Sequence, residues 1–412
     1  MRRPANIALG FVGAFLLCAM GSAVLSRKAV VQAATVMAPR FEVDPMWPKP
    51  LPNHWLLGQT IGVSVDNQDH IWIIHRAGSL EPGELHAQTN PRTARCCAAA
   101  PPVLEYDPAG NLLRHWGGPG QGYDWPNANH GITVDYKGNV WIGGNGRGTQ
   151  SNAGGTPDES QVGGVQPFND NMVLKFTQDG KFLAQIGKPG RSKGSNDTEN
   201  FRLPAKTFVD PKTNELYIAD GYGNHRVIVF DAETGKYKRH WGAYGNKPTD
   251  VDLGRYDPKA PPAQQFRNPV HCADLSNDNL LYVCDRANDR VQVFRTDGTF
   301  VKEGFFSKET LGSGSAWDIT FSRDPQQKYM YLADGENNQV HVIDRQSLEL
   351  LTSFGDGGRQ PGEFYGVHSI ATDSKGNIYT TETYHGRRLQ KFVYKGLAAV
   401  TKKDQGVVWP KK

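Results

Sequence analysis

Apolar and polar positions alternate along this chain in short runs, and turn residues separate the runs at regular intervals. In the segment GITVDYKGNVWI, an apolar run ends in aspartate, a Gly-Asn turn follows, and a second apolar run carries an aromatic residue. A period of two is typical of half-buried β-strands, and Gly-Asn or Asp-Gly pairs favour tight hairpins. The pattern predicts short antiparallel strands joined by tight turns.

This unit repeats about six times along the sequence. The clearest copy, PAKTFVDPKTNELYIADGYGNHRVIVFDAETGKYKRHWG, reads as four strands. Repeated four-stranded units close radially and leave only short edges, so we predict an all-β, six-bladed β-propeller. An open solenoid or a large sandwich is the alternative. Residues 41–55 are expected to supply a strand that helps to close the ring.

The interpretation divides the chain into four parts. They are 1–34, a signal peptide or membrane anchor; 35–60, an N-terminal extension with the ring-closing segment; 61–397, the propeller; and 398–412, a C-terminal tail. Two insertions, 77–101 and 146–170, follow the second strands of the first and second units. Loops at such positions are expected to line the mouth of the channel.

The N-terminal part has the features of a targeting segment. Arg2 and Arg3 precede an apolar run over residues 7–25, and residues 31–33 offer a small-residue cleavage site. The run is also long enough to span a membrane, so an uncleaved anchor is the alternative. Either outcome predicts an extracytoplasmic protein, periplasmic or secreted, whose only membrane contact is this segment if it is retained.

Charge gives little indication of a macromolecular partner. The formal net charge is only +4 over 412 residues, and no dense block of lysine and arginine occurs. A nucleic-acid-binding domain normally presents such a basic patch or stripe. We therefore do not expect nucleic acid as a partner.

Five cysteines leave the disulfide pattern partly open. Cys18 lies in the targeting segment. Cys96 and Cys97 are adjacent within an insertion, where a vicinal disulfide and two free thiols are equally compatible with the sequence. Cys272 and Cys284 lie on the two arms of one hairpin. A turn at residues 276–279 would point them to opposite faces, so a bond between them is not expected.

Three histidines occupy one register in alternate repeats. Each opens a first strand and is followed eleven positions later by an aromatic residue, whereas the intervening repeats carry apolar residues at the aligned position. The histidines are His130, His271 and His368; the apolar residues are Ile61, Ala205 and Trp317. First strands of propeller blades line the channel, so the imidazoles should meet at one axis. Three imidazoles with an open fourth position predict a catalytic zinc site; capping or packing at a strand start is the alternative.

Further polar residues should surround the same mouth, because the loop after each second strand returns to the histidine side. These residues are His75 with Arg76, Asp220 with Tyr222, Asp285 with Arg286, and Glu382 with His385. Arginines can hold a carboxylate through paired hydrogen bonds, and a tyrosine beside a metal is a candidate general base. For Arg76, Tyr222 and Arg286 the alternative is a role in salt bridges and packing between blades.

Two phrases, DGYGNHRVIVF and DRANDRVQVF, resemble the NHL repeat. Over roughly residues 60–397 the order of motifs resembles the peptidyl-α-hydroxyglycine α-amidating lyase family. The resemblance implies a six-bladed propeller with zinc on His130, His271 and His368. It implies cleavage of a peptide carbinolamide to an amidated peptide and glyoxylate. The family's catalytic tyrosine lies in the DGY phrase and matches Tyr222.

The resemblance also assigns two substrate arginines and shows two departures. Arg76 and Arg286 match the arginines of the family, which implies a peptide or small-molecule substrate that carries a carboxylate. After the third histidine the family has an aspartate that helps to hold calcium, whereas this chain has Ser369, so a calcium site stays open. Gly223 replaces a family cysteine, so that disulfide is not expected.

Two other functions compete with a zinc lyase. NHL propellers also serve as non-enzymatic binding platforms, and the rim loops offer a surface for a protein or ligand partner. A metal-dependent hydrolase of the lactonase type is the third hypothesis. Those propellers use a metal site richer in carboxylates and amides, so three histidines argue against it.

Overall fold

A computed structural model describes residues 35–149 and 167–410. The compact unit described below is Ala38–Lys412. The predicted signal or anchor segment, 1–34, and the middle of the second insertion lie outside the described residues. Within the described ranges, no helix has the length and apolar character needed to cross a membrane.

Short strands account for nearly all regular structure in the described residues. The strands are β1 Met37–Val43, β2 Trp55–Leu56, β3 Gln59–Val65, β4 Ile71–Arg76, β5 Ala98–Ala99, β6 Val103–Tyr106, β7 Leu112–Trp116, β8 Asn129–Val134, β9 Val140–Gly144, β10 Met172–Phe176, β11 Phe182–Gly187, β12 Lys206–Val209, β13 Glu215–Asp220, β14 Arg226–Asp231, β15 Tyr237–Trp241, β16 Val270–Leu275, β17 Leu280–Asp285, β18 Arg290–Arg295, β19 Phe300–Phe305, β20 Asp318–Phe321, β21 Tyr329–Asp334, β22 Gln339–Asp344, β23 Glu349–Phe354, β24 Val367–Thr372, β25 Ile378–Glu382 and β26 Leu389–Ala399. Single turns of 3-10 helix lie at Ala77–Ser79, Pro82–Glu84, Ala243–Gly245 and Arg286–Asn288.

Six four-stranded sheets form the blades, and a small parallel pair, β2 with β5, joins the first insertion to the N-terminal extension. Blades 1 to 6 begin with β3, β8, β12, β16, β20 and β24, and each of these strands contacts the first strand of the next blade. The contact between β24 and β3 completes the ring. The prediction of an all-β, six-bladed propeller is therefore confirmed.

In the structure, the repeated aspartate is hydrogen-bonded to the repeated aromatic residue and to the turn between them. At the first hairpin of blade 2, Asp135 Oδ1 accepts the backbone N–H of Asn139 at 2.8 Å, and Oδ2 accepts Trp141 Nε1 at 2.9 Å. Gly138 supplies the positive φ of the turn, at 80°. The aspartate thus ties the tight turn to the buried aromatic ring of the next strand, which is why the three residues recur together.

The hydrophobic core is divided into six clusters, one between each pair of neighbouring blades. The cluster between blades 5 and 6 includes Phe41 and Val43 of β1, the outermost strand of blade 6. The closing strand therefore lies mainly before the predicted segment, 41–55. Pro45, two residues beyond Val43, lacks the N–H needed to continue a strand ladder, and further prolines follow at positions 48, 50 and 52.

The cysteine prediction for blade 4 is wrong, because Cys272 and Cys284 form a disulfide with their Cα atoms 4.9 Å apart. The hairpin turn contains one more residue than predicted. Asn279 adopts a positive φ of 62°, so Leu275 pairs with Leu281 and the two cysteines face each other directly. Cys96 and Cys97 are also bonded, as a vicinal disulfide.

Candidate metal centre

The three histidines of alternate blades lie together at the axis. His130, His271 and His368 belong to β8, β16 and β24, the first strands of blades 2, 4 and 6. Their ring centroids are 4.8 to 5.0 Å apart, which is close to an equilateral triangle. His271 and His368 sit at register shifts, and such bulges re-aim a side chain out of the alternation of the strand.

Each imidazole is oriented by a backbone carbonyl of the following blade. The Nδ1-to-oxygen pairs are His130 with Ala205 at 2.8 Å, His271 with Trp317, and His368 with Ile61 at 2.6 Å. A carbonyl oxygen only accepts, so Nδ1 carries the proton and Nε2 carries the lone pair. The acceptors are the apolar residues that occupy the histidine position in the intervening repeats. Blades that carry a candidate metal-binding histidine therefore alternate with blades whose backbone carbonyl orients that histidine.

The environment keeps the three imidazoles neutral. Their exposed fractions are only 2%, 3% and 4% for His130, His271 and His368. Burial lowers the pKa of all three rings, and the positive charge of Arg286 lowers each pKa further. The pKa of His368 falls to about 3. At neutral pH each ring is therefore in the unprotonated form that binds a metal.

The donor set fits a transition metal such as zinc. The three ligand nitrogens lie within 4.8 Å of one another, and all three residues are buried. Neutral imidazole nitrogens suit zinc, and a site with three protein ligands leaves one position for water or substrate. The hydrogen bonds at Nδ1 provide the second-sphere support that such ligands normally have.

Tyr222 points its hydroxyl at this centre. Its Oη lies 3.1 Å from His130 Nε2 and 3.0 Å from His271 Nε2. The residue lies in the loop between β13 and β14 of blade 3. The loop packs directly on blade 4, because a Cβ added at Gly221 would lie 2.0 Å from the backbone nitrogen of Val270.

A buried ion pair holds the tyrosine loop in place. Asp220 and Arg226 are both fully buried, and Arg226 Nε donates to Asp220 Oδ2 at 2.8 Å. Asn224 Nδ2 donates to the same oxygen at 2.7 Å. The aspartate, asparagine and arginine of the NHL phrase thus form one network, which explains why they occur together around the tyrosine.

Arg286 reaches the tyrosine from blade 4. Its Nη1 donates to Tyr222 Oη at 3.1 Å, and its Nε donates to the carbonyl of Ser313 at 3.0 Å. The guanidinium stacks over the indole of Trp317, 4.4 Å from the ring centroid. These contacts place a fixed positive charge beside the phenol oxygen and the histidines.

Arg76 lies on another side of the same centre. Its Nη1 donates to Gln59 Oε1 at 3.1 Å, and its Nη2 donates to Asn145 Oδ1 at 2.5 Å. Its Nε donates to the carbonyl of Asn129, the residue before His130, at 3.3 Å, and its positive charge adds to the effect of burial in lowering the pKa of His130 and of His368. The structure therefore brings all six predicted site residues together, while their roles stay predictions.

Several other rim residues have structural contacts instead. His75 is fully buried, its Nδ1 accepts the N–H of Gly58 at 3.1 Å, and burial lowers its pKa to about 4. Asp285 pairs with Arg290 Nε at 2.7 Å. Glu382 and His385 do not act together: the Glu382 carboxylate forms an ion pair with Arg388 at 2.6 Å, and His385 is exposed.

The residues around Ser369 do not fit a calcium site. Ser369 Oγ donates to Asp318 Oδ2 at 2.6 Å, and Lys206 Nζ donates to Asp318 Oδ1 at 2.6 Å and to Asp274 Oδ2 at 3.0 Å. Calcium needs several oxygen ligands that are free to coordinate it. Here an ammonium group already occupies an oxygen of each of the two carboxylates.

Sequence reasoning missed a large cleft beside Tyr222. The cleft has a volume of about 910 Å³, and much of its wall comes from the loop between β15 and β16. That loop does not follow the repeat pattern, so aligning the repeats could not predict where its residues lie. One signal was available: residues 242–269 form a longer connection than any other between successive blades.

Fold and centre together define a six-bladed β-propeller with three convergent buried histidines and an adjoining tyrosine and arginine. No family model matches the chain. The chain is 24% identical over 350 residues to a Mus musculus protein named peptidyl-glycine alpha-amidating monooxygenase, which covers 83% of this chain and 31% of that relative. This chain therefore spans about a third of that relative's length.

Two further relatives are similar over a larger share of their own length. Peptidyl-alpha-hydroxyglycine alpha-amidating lyase 1 of Drosophila melanogaster is 24% identical over 377 residues, 85% of this chain and 59% of the relative. NHL repeat-containing protein 3 of Mus musculus is 24% identical over 374 residues, 86% of this chain and 84% of the relative. The predicted resemblance to amidating lyases and NHL repeat proteins is therefore confirmed.

Proposed function

We propose that this protein is an exported, zinc-dependent carbon–nitrogen lyase that cleaves a carbinolamide to an amide and glyoxylate or a related aldehyde. The observation that carries the proposal is the position of Tyr222 Oη, 3.0 to 3.1 Å from two histidine Nε2 atoms and from Arg286 Nη1. A general base must lie within such reach of the group that it deprotonates. The similarity to amidating lyases supports this reaction class.

The residues of the chain account for each part of the reaction. His130, His271 and His368 would hold zinc, which when bound polarises a substrate oxygen. Arg76 and Arg286 bind the substrate carboxylate. In its phenolate form, which the charge of Arg286 would stabilise, Tyr222 Oη takes the proton of the substrate hydroxyl, and the carbonyl of the aldehyde forms as the C–N bond breaks. The electron pair of that bond stays on nitrogen, which receives the proton from Tyr222.

An extracytoplasmic location is part of the proposal. The N-terminal segment has the charge and hydropathy pattern of a targeting segment. Four of the five cysteines form disulfides in the structure, and disulfides persist mainly in oxidising compartments. Both observations support export.

Metal content tests the centre directly. We expect about one zinc per chain, the stoichiometry of a site with three protein ligands, in the purified protein and in a control His385→Ala variant. His385 is an exposed histidine outside the centre. We expect His271→Ala to lose the metal, measured by elemental analysis. Protein that retains zinc is then tested for glyoxylate release from α-hydroxyglycine compounds.

Each failure leads to a different function. If neither the parent nor the control binds a transition metal when zinc is supplied, the histidines are architectural, and a binding platform at the propeller rim becomes the better assignment. If zinc binds but no α-hydroxyglycine compound releases glyoxylate, the lyase assignment is wrong. A metal-dependent hydrolase then becomes the class to test.

A further inference from the structure

The cleft beside Tyr222 has an unusual distribution of charge. Tyr222 is part of its wall, so the cleft adjoins the three-histidine centre. The charged residues of the wall are four arginines, Arg147, Arg202, Arg255 and Arg267, and two aspartates, Asp250 and Asp252. The lining thus carries an excess of positive charge.

The two aspartates reduce the net charge of the wall, but they hydrogen-bond to other groups. Asp250 Oδ1 accepts the hydroxyl of Ser195 at 2.6 Å, and Asp252 Oδ1 accepts the backbone N–H of Gly254 at 2.8 Å. Within the described part of the chain, no ion pair joins Arg202 or Arg255 to a carboxylate. The positive charge of the wall is therefore available to a ligand.

Arg202 is held against the cleft by its contact with Gly223. A Cβ added at Gly223 would lie 2.3 Å from Arg202 Cγ and 2.8 Å from Cδ. The alkyl stem of the arginine therefore lies flat against the backbone of the residue that follows Tyr222. Only glycine at this position leaves room for that conformation, so Gly223 places the stem of an arginine against the loop that carries the candidate base.

We propose that this cleft binds the acyl part of the substrate and selects an acyl part that carries its own carboxylate, as in an acidic peptide. The inference rests on the proposed lyase function and adds a second carboxylate to the one assigned to Arg76 and Arg286. Guanidinium groups bind carboxylates through paired, charge-assisted hydrogen bonds, and a neutral amide of the same shape lacks that interaction.

Substrates that differ only in charge test the inference. N-acyl-Glu, N-acyl-Gln and N-acyl-Lys derivatives of α-hydroxyglycine are compared by kcat/KM for glyoxylate release. One charge-assisted hydrogen bond is enough for a preference of about tenfold for Glu over Gln. We expect Lys to be the poorest substrate and the preference to shrink at high salt.

Variants locate the preference in the cleft. Arg202→Gln and Arg255→Gln are each expected to reduce the Glu-over-Gln ratio. Gly223→Ala should act like Arg202→Gln, because it displaces the arginine without removing its charge. Arg295→Gln removes an exposed arginine at the far end of β18 and should leave the ratio unchanged. Circular dichroism confirms that each variant is folded.

Binding without turnover separates this inference from the proposed reaction. N-acyl-Glu-Gly and N-acyl-Gln-Gly lack the hydroxyl group, and their affinities for the full protein are measured by calorimetry. Tighter binding of the Glu peptide that Arg202→Gln abolishes supports the cleft assignment even if no lyase activity is found. Equal affinities for the two peptides, or a preference that survives Arg202→Gln and Arg255→Gln together, overturn it.

Discussion

Around the oxygen of Tyr222, hydrogen-bond acceptors outnumber the protons available to them. His130 and His271 both use Nδ1 as a donor to a carbonyl, so both present an Nε2 lone pair to the hydroxyl. A phenol has one proton and can satisfy only one of them. His368 presents a third lone pair to the same space. A bound cation accounts for this surplus of acceptors better than packing alone does.

Replacing the hydroxyl of Tyr222 tests its role as the base. We expect Tyr222→Phe to retain zinc, because the histidines and their carbonyl partners are untouched. The loss of proton transfer should lower kcat by about 100-fold or more, the usual contribution of a general acid–base group. Elemental analysis and steady-state glyoxylate release are measured on the same preparation.

The matched control is Tyr365→Phe, which removes the hydroxyl of an exposed tyrosine whose ring lies 6.3 Å from that of His385. It should keep both zinc and turnover. Full activity in Tyr222→Phe would remove this residue from the mechanism. Loss of zinc together with activity would make it a structural part of the metal centre instead.

At the scale of strands and loops, repetition decided what the sequence could predict. The histidines, Tyr222 and Arg286 occupy fixed places within repeated phrases, so aligning the repeats predicts which residues meet. Hairpin register was less secure, because one residue in the left-handed conformation, Asn279, moves every following pair by one place. The cleft loop at 242–269 does not repeat, and its position follows only from packing.

The register of blade 4 has a measurable chemical consequence. The Cys272–Cys284 bond is fully buried between blades 4 and 5, whereas Cys96 is exposed. We expect mild reduction of the folded protein to open only the vicinal bond, because a thiolate must reach a sulfur atom to exchange with it. Thiol titration of protein lacking residues 1–34 should give about two thiols after mild reduction of the folded protein, and about four after reduction of the denatured protein.

A Cys96→Ser/Cys97→Ser variant is the control and should give no fast-reacting thiols in the folded state. Four thiols from the folded parent would mean that blades 4 and 5 separate readily. Free thiols in the denatured, unreduced Cys96→Ser/Cys97→Ser variant would contradict the pairing of Cys272 with Cys284.

At the scale of the whole molecule, one ammonium group links the blades across the axis. Lys206 of blade 3 binds Asp274 of blade 4 and Asp318 of blade 5, and Asp318 in turn accepts Ser369 of blade 6. Four of the six blades therefore meet in one buried polar network. A hydrogen-bonded network of this kind fixes their mutual positions, whereas removing its single ammonium leaves both carboxylates without a cationic partner in the network.

Removing the ammonium should destabilise the ring in a pH-dependent way. We expect Lys206→Met to cost about 3–5 kcal/mol at pH 7.5, the usual effect of breaking a buried ion pair. Burial raises the pKa of Asp274 to about 6, and Lys206 opposes that rise. A carboxyl whose folded pKa is raised stabilises the fold at low pH, and the stabilisation is lost as pH rises through that pKa. The variant should therefore lose less at pH 4.5 than at pH 7.5, measured by urea unfolding.

A control must show that the stability lost in Lys206→Met comes from the missing charge and not from the changed shape of the side chain. Lys212→Met removes an exposed lysine of blade 3 and should change the urea midpoint little at either pH. An equal loss of unfolding free energy in Lys206→Met at pH 4.5 and 7.5 would assign that loss to packing.

Calcium should not raise the urea midpoint of the parent protein, because Asp274 and Asp318 already bind the ammonium of Lys206. A calcium-dependent rise in the parent would contradict this expectation.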